Sequence, residues 1–149
     1  MRHALMTLLA ALGFVTPGPI NASNSETTAG GPVSYIVYPI GWVRRSDDKT
    51  FIEVDKRFLP ALMGVDELKS IWVLYWFDRN DTPQKRSMLR VHPRGNPDNP
   101  LRGVFATRSP LRPNPIALSQ VNVLSVRGSL IEIDGIDAFD DTPVLDIKP

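Results

Sequence analysis

The stretch IWVLYWF, residues 71–77, constrains this chain most, because it is a continuous apolar run closed off by polar residues on either side. Its length and its β-branched and aromatic content predict a central strand covered on both faces. The segments around it have the same character. SYIVYPIGWVRR reads as a strand with Pro39 at an edge or a bulge, and TFIEV alternates after the turn-like RSDDK. RFLPALMG suits a short helix stopped by Gly64. SMLRVHP, GVFAT, QVNVLSV and LIEIDGI supply further short strands, separated by turns such as PRGNPDNP and RGS. Short strands at close spacing, with one or two short helices, predict a mainly β fold, a small antiparallel barrel.

A chain of 149 residues is one domain's worth, and its 42% hydrophobic and 22% charged residues are those of a globular protein. A net charge of +1 excludes nucleic-acid binding by overall charge and leaves only a local basic face. The absence of cysteine removes disulfides, thiolate metal sites and thiol nucleophiles, and two histidines, His3 and His92, cannot build a histidine-rich metal site. Any catalysis therefore rests on carboxylates, arginines, backbone groups or a cofactor, and no metal is expected.

The first residues, MRHALMTLLAALGFVTPGPINAS, have a positive start, an apolar run from Ala4 to Val15 and small residues around Ala22. Residues 1–22 thus read as a secretory signal peptide, which implies a periplasmic or secreted protein with no stable membrane insertion after its removal. The other reading is a cytoplasmic protein started near Val33 on a GTG codon. Residues 23–34 read as a flexible linker, and residues 35–149 as the folded domain.

Charge is segregated within that domain. Arg79, Lys85, Arg86, Arg90, Arg94, Arg102, Arg108 and Arg112 face only Asp81 and Asp98 in their own segment, while Glu132 to Asp146 is acidic throughout. Either the halves neutralise each other as exposed ion pairs, or they form a basic groove for an anionic polymer beside an acidic pocket.

Two motifs carry chemistry. In GVFATRSPLRPNPIALS, residues 103–119, prolines hold Ser109, Arg112 and Asn114 extended, so that the loop is stiff before anything binds. Arg108 and Arg112 offer planar forks for phosphate or carboxylate, and Asn114 can donate and accept. A purely structural proline-rich barrel corner fits the same spacing. In IDGIDAFDDTPVLDIKP, residues 133–149, Asp137 and Asp140 flank Ala138 and Phe139 in a loop. These carboxylates can hold ribose hydroxyls, balance a cation or accept a proton, or else cap their own backbone. The spacing matches no metal loop.

These two strings, with IWVLYWF and VHPRG, resemble the TsaA-like (TrmO) family over Tyr35 to Pro149. The resemblance implies a small single-sheet β-barrel that binds S-adenosylmethionine near a homodimer interface and methylates N6 of threonylcarbamoyladenosine in the anticodon loop of tRNA. It further implies cofactor contacts from Ser70, Arg108, Leu118, Asp137, Ala138, Phe139 and Asp140. Asp140 would be the catalytic base, with Arg112 and Asn114 on the substrate nucleotide. Three departures stand against the family pattern: Ser70 where many members carry histidine, Asp141 in place of glycine, and a short Val43–Phe51 segment. An exported binding module on the same barrel, and a methyltransferase of another small substrate, are the competing readings.

Overall fold

The computed structural model of the protein describes residues 34–149, so the signal-peptide and Val33-start readings, and all of the linker before Ser34, lie outside the described residues. Eight strands follow: β1 (Gly41–Ser46), β2 (Lys49–Val54), β3 (Ser70–Trp76), β4 (Arg90–Val91), β5 (Arg102–Gly103), β6 (Ile116–Arg127), β7 (Leu130–Ile133) and β8 (Pro143–Lys148). One α-helical turn, α1 (Pro83–Arg86), and several 3₁₀ turns connect them. Six strands close into an antiparallel barrel in the order β1-β2-β7-β6-β3-β8, and β4-β5 forms a separate hairpin. The expected mainly β barrel is the fold found.

Alternation builds the interior. Ile71, Val73 and Tyr75 of β3 point inward with Val43, Ile52, Val54, Ala117, Val121, Ile131, Ile133 and Val144, all nearly inaccessible to solvent. The expected burial of IWVLYWF on both faces is corrected. Trp72, Leu74 and Trp76 point outward and are only half-buried, because a closed barrel has one interior. The guanidinium of Arg86 lies 5.4 Å from the Trp76 ring centroid, and Trp76 Nε1 donates to Asp81 at 3.0 Å, so that α1 partly covers this outer face.

Other expectations shift locally. SYIVYPIGWVRR pairs only from Gly41 onward, and Tyr35 to Tyr38 are exposed. GVFAT gives a two-residue strand and then a 3₁₀ turn at Val104–Ala106. Pro60 lies inside RFLPALMG, which takes 3₁₀ rather than α geometry, and Gly64 stops it at φ 83°. IALS joins QVNVLSV in a single long strand, β6, which serves β3 with its first half and β7 with its second across a bulge between Val123 and Ser125. The PVLDIK segment, at the end of the second motif, is the barrel strand β8 between β1 and β3.

The segregated charges do not neutralise each other. Glu132 pairs with Lys49, Asp146 with Lys148, and Asp141 with Arg44, which also bonds Glu53 at 2.6 Å. In the basic segment only Arg86 has a carboxylate partner among the described residues, Asp81 from the same segment.

A Cβ at Gly41 would sit 2.3 Å from the Glu53 carbonyl oxygen, whereas one at Gly103 meets nothing closer than 4.0 Å. Urea unfolding should therefore show Gly41→Ala strongly destabilised, and Gly103→Ala unchanged or more stable by up to about 1 kcal/mol. The Asp81 carboxyl is held below its usual range, chiefly by the Arg86 hydrogen bond and against the opposing effect of burial. Its contribution is complete above the ordinary carboxylate pKa of about 4 and disappears as pH falls through the lowered folded value. Acid unfolding of Asp81→Asn should accordingly begin from lower stability at pH 6 and fall less steeply below pH 4.

Candidate functional site

Two cavities, of about 180 and about 500 Å³, open where β3 runs out into Phe77. They share a wall made by Tyr75, Phe77, Arg108 and Asp137. The larger falls within the roughly 300–1,000 Å³ usual for small-molecule sites. Phe105, Thr107, Arg112, Ile116, Leu118 and Ser119 complete it, whereas Arg79, Pro110, Ala138 and Phe139 belong to the smaller.

Tyr75 ends the inward-facing row of β3, so its ring is core and its hydroxyl reaches the cavity. That hydroxyl donates to the Asp137 carbonyl at 3.0 Å and lies 3.2 Å from Ser119 Oγ. Because the carbonyl can only accept, the shared proton on the second bond comes from Ser119. Burial raises the phenol above its ordinary pKa; the Asp137 charge adds to this, and the Ser119 hydrogen bond and Arg108 oppose it. Tyr75 is thus a neutral donor at physiological pH and not a base.

The 103–119 loop is held by its own hydroxyls as well as its prolines. Thr107 Oγ1 donates to the Val104 carbonyl and accepts from Ser109 N, and Ser109 Oγ accepts from Leu111 N. Pro115 is fully buried, and its carbonyl accepts from Phe77 N at 2.8 Å. The stiff loop and the barrel corner are therefore one structure. Arg108 emerges from it and donates from Nη1 to the Leu118 carbonyl at 3.1 Å, with no carboxylate partner among the described residues.

Across the site, the 136–141 loop is tied to β1 by Arg45. Its Nη2 donates to the carbonyls of Ile136 at 2.8 Å and Ala138 at 2.9 Å, and its backbone N–H donates to Asp140 Oδ1 at 2.8 Å. Asp141, where the family pattern has glycine, takes φ 68° and pairs with Arg44. Its N–H donates to the Val43 carbonyl at 2.8 Å. The left-handed backbone that glycine would supply is kept, and the added charge is balanced. Phe139 is exposed and lies 4.1 Å beneath the Arg79 guanidinium, a cation–π contact that closes one side of the smaller cavity.

The residues singled out in the sequence divide accordingly. Arg108, Leu118, Asp137, Ala138, Phe139 and Arg112 line the cavities. Ser70 does not: it starts β3, about 17 Å along the strand from Tyr75, and accepts from Gln120 Nε2 at 3.4 Å. Both cavities open at the opposite end of that strand. Asn114 is exposed and lines neither cavity, and Asp140 is engaged by Arg45 outside both linings. Tyr75, Phe77, Phe105 and Arg79 were missed. Tyr75 and Phe77 were detectable as the polar and terminal members of the inward row of IWVLYWF.

A family model described as the tRNA-methyltransferase O N-terminal domain matches residues 38–149. A probable S-adenosyl-L-methionine-binding protein of Methanocaldococcus jannaschii is 46% identical over 114 residues, covering 76% of this chain and 90% of that protein. A mouse tRNA (adenine(37)-N6)-methyltransferase is 40% identical over 89 residues, 60% of this chain and 20% of its own length. The crystal structure of TrmO from Pseudomonas aeruginosa superposes with a TM-score of 0.59 at 28% identity, covering 78% of this chain and 56% of that one. The chain thus spans little more than half of that solved structure. With a closed barrel, both sequence motifs on one site and a family match across the described strands, the chain belongs to the family of the tRNA-methyltransferase O N-terminal domain, the TsaA-like family that its motifs resemble.

Proposed function

We propose that this chain is an S-adenosylmethionine-dependent methyltransferase that modifies N6 of threonylcarbamoyladenosine in the tRNA anticodon loop. The observation that carries this reading is the shared wall, where Asp137, Arg108 and Tyr75 meet between two cavities. The donor set fits the cofactor. An exposed carboxylate suits ribose hydroxyls or an amino group, and the face of Phe77 suits adenine or a sulfonium. S-adenosylmethionine, when bound, supplies a methyl group already activated for displacement. Arg108, Leu118, Asp137, Ala138 and Phe139 hold it, and Arg112 orients the nucleotide. The protein's own part is alignment, which can account for roughly 7–11 kcal/mol of a barrier when nucleophile and methyl are held in attack geometry.

Of the two loop aspartates we assign the N6 proton to Asp137, which lines both cavities, whereas Asp140 lines neither and accepts from the Arg45 N–H. The mouse relative's name, a tRNA (adenine(37)-N6)-methyltransferase, supports the substrate. Ile116 and Leu118 are exposed at the mouth of the larger cavity, and a second copy of the chain would cover them in a homodimer. A methyltransferase of another substrate is the second reading. It is favoured by the archaeal relative, 46% identical, whose name specifies only S-adenosylmethionine binding.

Calorimetric titration of the full chain with S-adenosylmethionine should give saturable binding, about tenfold to a hundredfold weaker in Arg108→Gln. Absence of binding by folded protein would end the methyltransferase reading. Transfer of labelled methyl from the cofactor to tRNA carrying threonylcarbamoyladenosine then separates the two substrate readings. At saturating cofactor, Asp137→Asn should turn over about 10²–10⁴-fold more slowly, with Asp140→Asn close to wild type. The reverse order would return the base to Asp140.

A further inference from the structure

We infer that the β4-β5 hairpin is an RNA-backbone arm, holding the phosphodiester chain of a single-stranded loop through Arg90, Arg94 and Arg102. The hairpin stands outside the barrel, and most of its residues between Arg90 and Gly103 are exposed. Core burial does not account for its order, since Val91 is its one buried side chain. It is nevertheless firmly built. His92 Nδ1 bonds the Asn99 carbonyl at 2.7 Å, Asn99 Nδ2 donates to the Pro93 carbonyl at 2.8 Å, and Val104 N returns to the Leu89 carbonyl at 3.0 Å. Because the Asn99 carbonyl only accepts, the imidazole carries its proton on Nδ1.

The charge of this arm has no internal counterpart. None of its three arginines has a carboxylate within ion-pair distance among the described residues, although Asp98 lies in the same excursion. The six carboxylates that do form ion pairs, Glu53, Asp55, Asp81, Glu132, Asp141 and Asp146, are engaged by Arg44, Arg57, Arg86, Lys49 and Lys148. Unpaired guanidinium forks on a preorganised exposed element match phosphates in charge and in hydrogen-bonding geometry. The arm also leads somewhere. β5 continues directly into the Val104–Ala106 turn, where Phe105 is 79% exposed and lines the larger cavity. A strand tracked along the arginines would therefore bring a base onto an aromatic face at the entrance to the site. An acidic protein would use the charge but not the adjoining aromatic face and cavity. Only this last step, the destination of the base, rests on the methyltransferase reading.

The test is fluorescence anisotropy of the full chain with a labelled RNA hairpin carrying a seven-nucleotide loop, titrated at several salt concentrations. Wild type should bind with affinity falling as salt rises. Arg90→Gln/Arg102→Gln should bind at least about fivefold more weakly at low salt, with a log–log salt slope shallower by about 1.4, roughly 0.7 for each lost single-strand phosphate contact. Lys69→Gln, at the far end of β3, should match wild type, and calorimetric S-adenosylmethionine affinity should be unchanged in every variant. Equal affinity and slope in the double variant would overturn the arm, as would cofactor binding without any RNA binding. Displacement by polyglutamate as effective as displacement by unlabelled RNA would also overturn it, in favour of an acidic protein partner. RNA binding that depends on the arginines but is unaccompanied by cofactor binding would sustain the arm and remove the methyltransferase reading instead.

Discussion

The site depends on what Arg45 does to the loop between β7 and β8. That loop leaves the barrel at Ile133 and returns at Pro143, and nothing in its own sequence, rich in like charges, would draw it inward. Arg45 donates to two of its carbonyls from the guanidinium and to Asp140 from the backbone, and Arg44 balances Asp141. These bonds convert an acidic loop into a fixed wall, and they free Asp137 to face the cavities. A guanidinium is well suited to this role, since its rigid fork satisfies adjacent carbonyls at once.

Tyr75 performs the corresponding service from inside the barrel. Its ring belongs to the row of Ile71 and Val73, and its hydroxyl fixes both the Asp137 carbonyl and Ser119. One residue thus couples core packing to cavity shape. The neighbouring 103–119 loop is anchored to the same strand end through the Pro115 carbonyl and Phe77. Both functional loops are therefore referenced to the last residues of β3, which explains how segments far apart in sequence present a common surface.

Charge follows a different logic from packing. In the acidic stretch Asp141 and Glu132 pair with Arg44 of β1 and Lys49 of β2, and Asp146 with Lys148 of its own strand, so none of these carboxylates meets the arginines of the 90–112 segment. A net charge of +1 conceals this division, because the sum does not depend on which partners meet.

The sequence by itself determined the barrel class, most strand positions and the two loops that line the site. Local alternation and turn chemistry fix these, and the long ordered motifs resemble one family. It did not place β8, because PVLDIK reads as a strand only once β1 and β3 stand on either side of it. It did not show that Ser70 lies away from the two cavities, for a related reason. Position next to the central strand is visible in one dimension, but which end of that strand opens to the cavity depends on barrel closure. The separation of Asp137 from Asp140 was likewise decided by tertiary structure alone. The two carboxylates look equivalent in the sequence, and only the approach of Arg45 from a distant strand commits one to holding the loop and leaves the other facing the site.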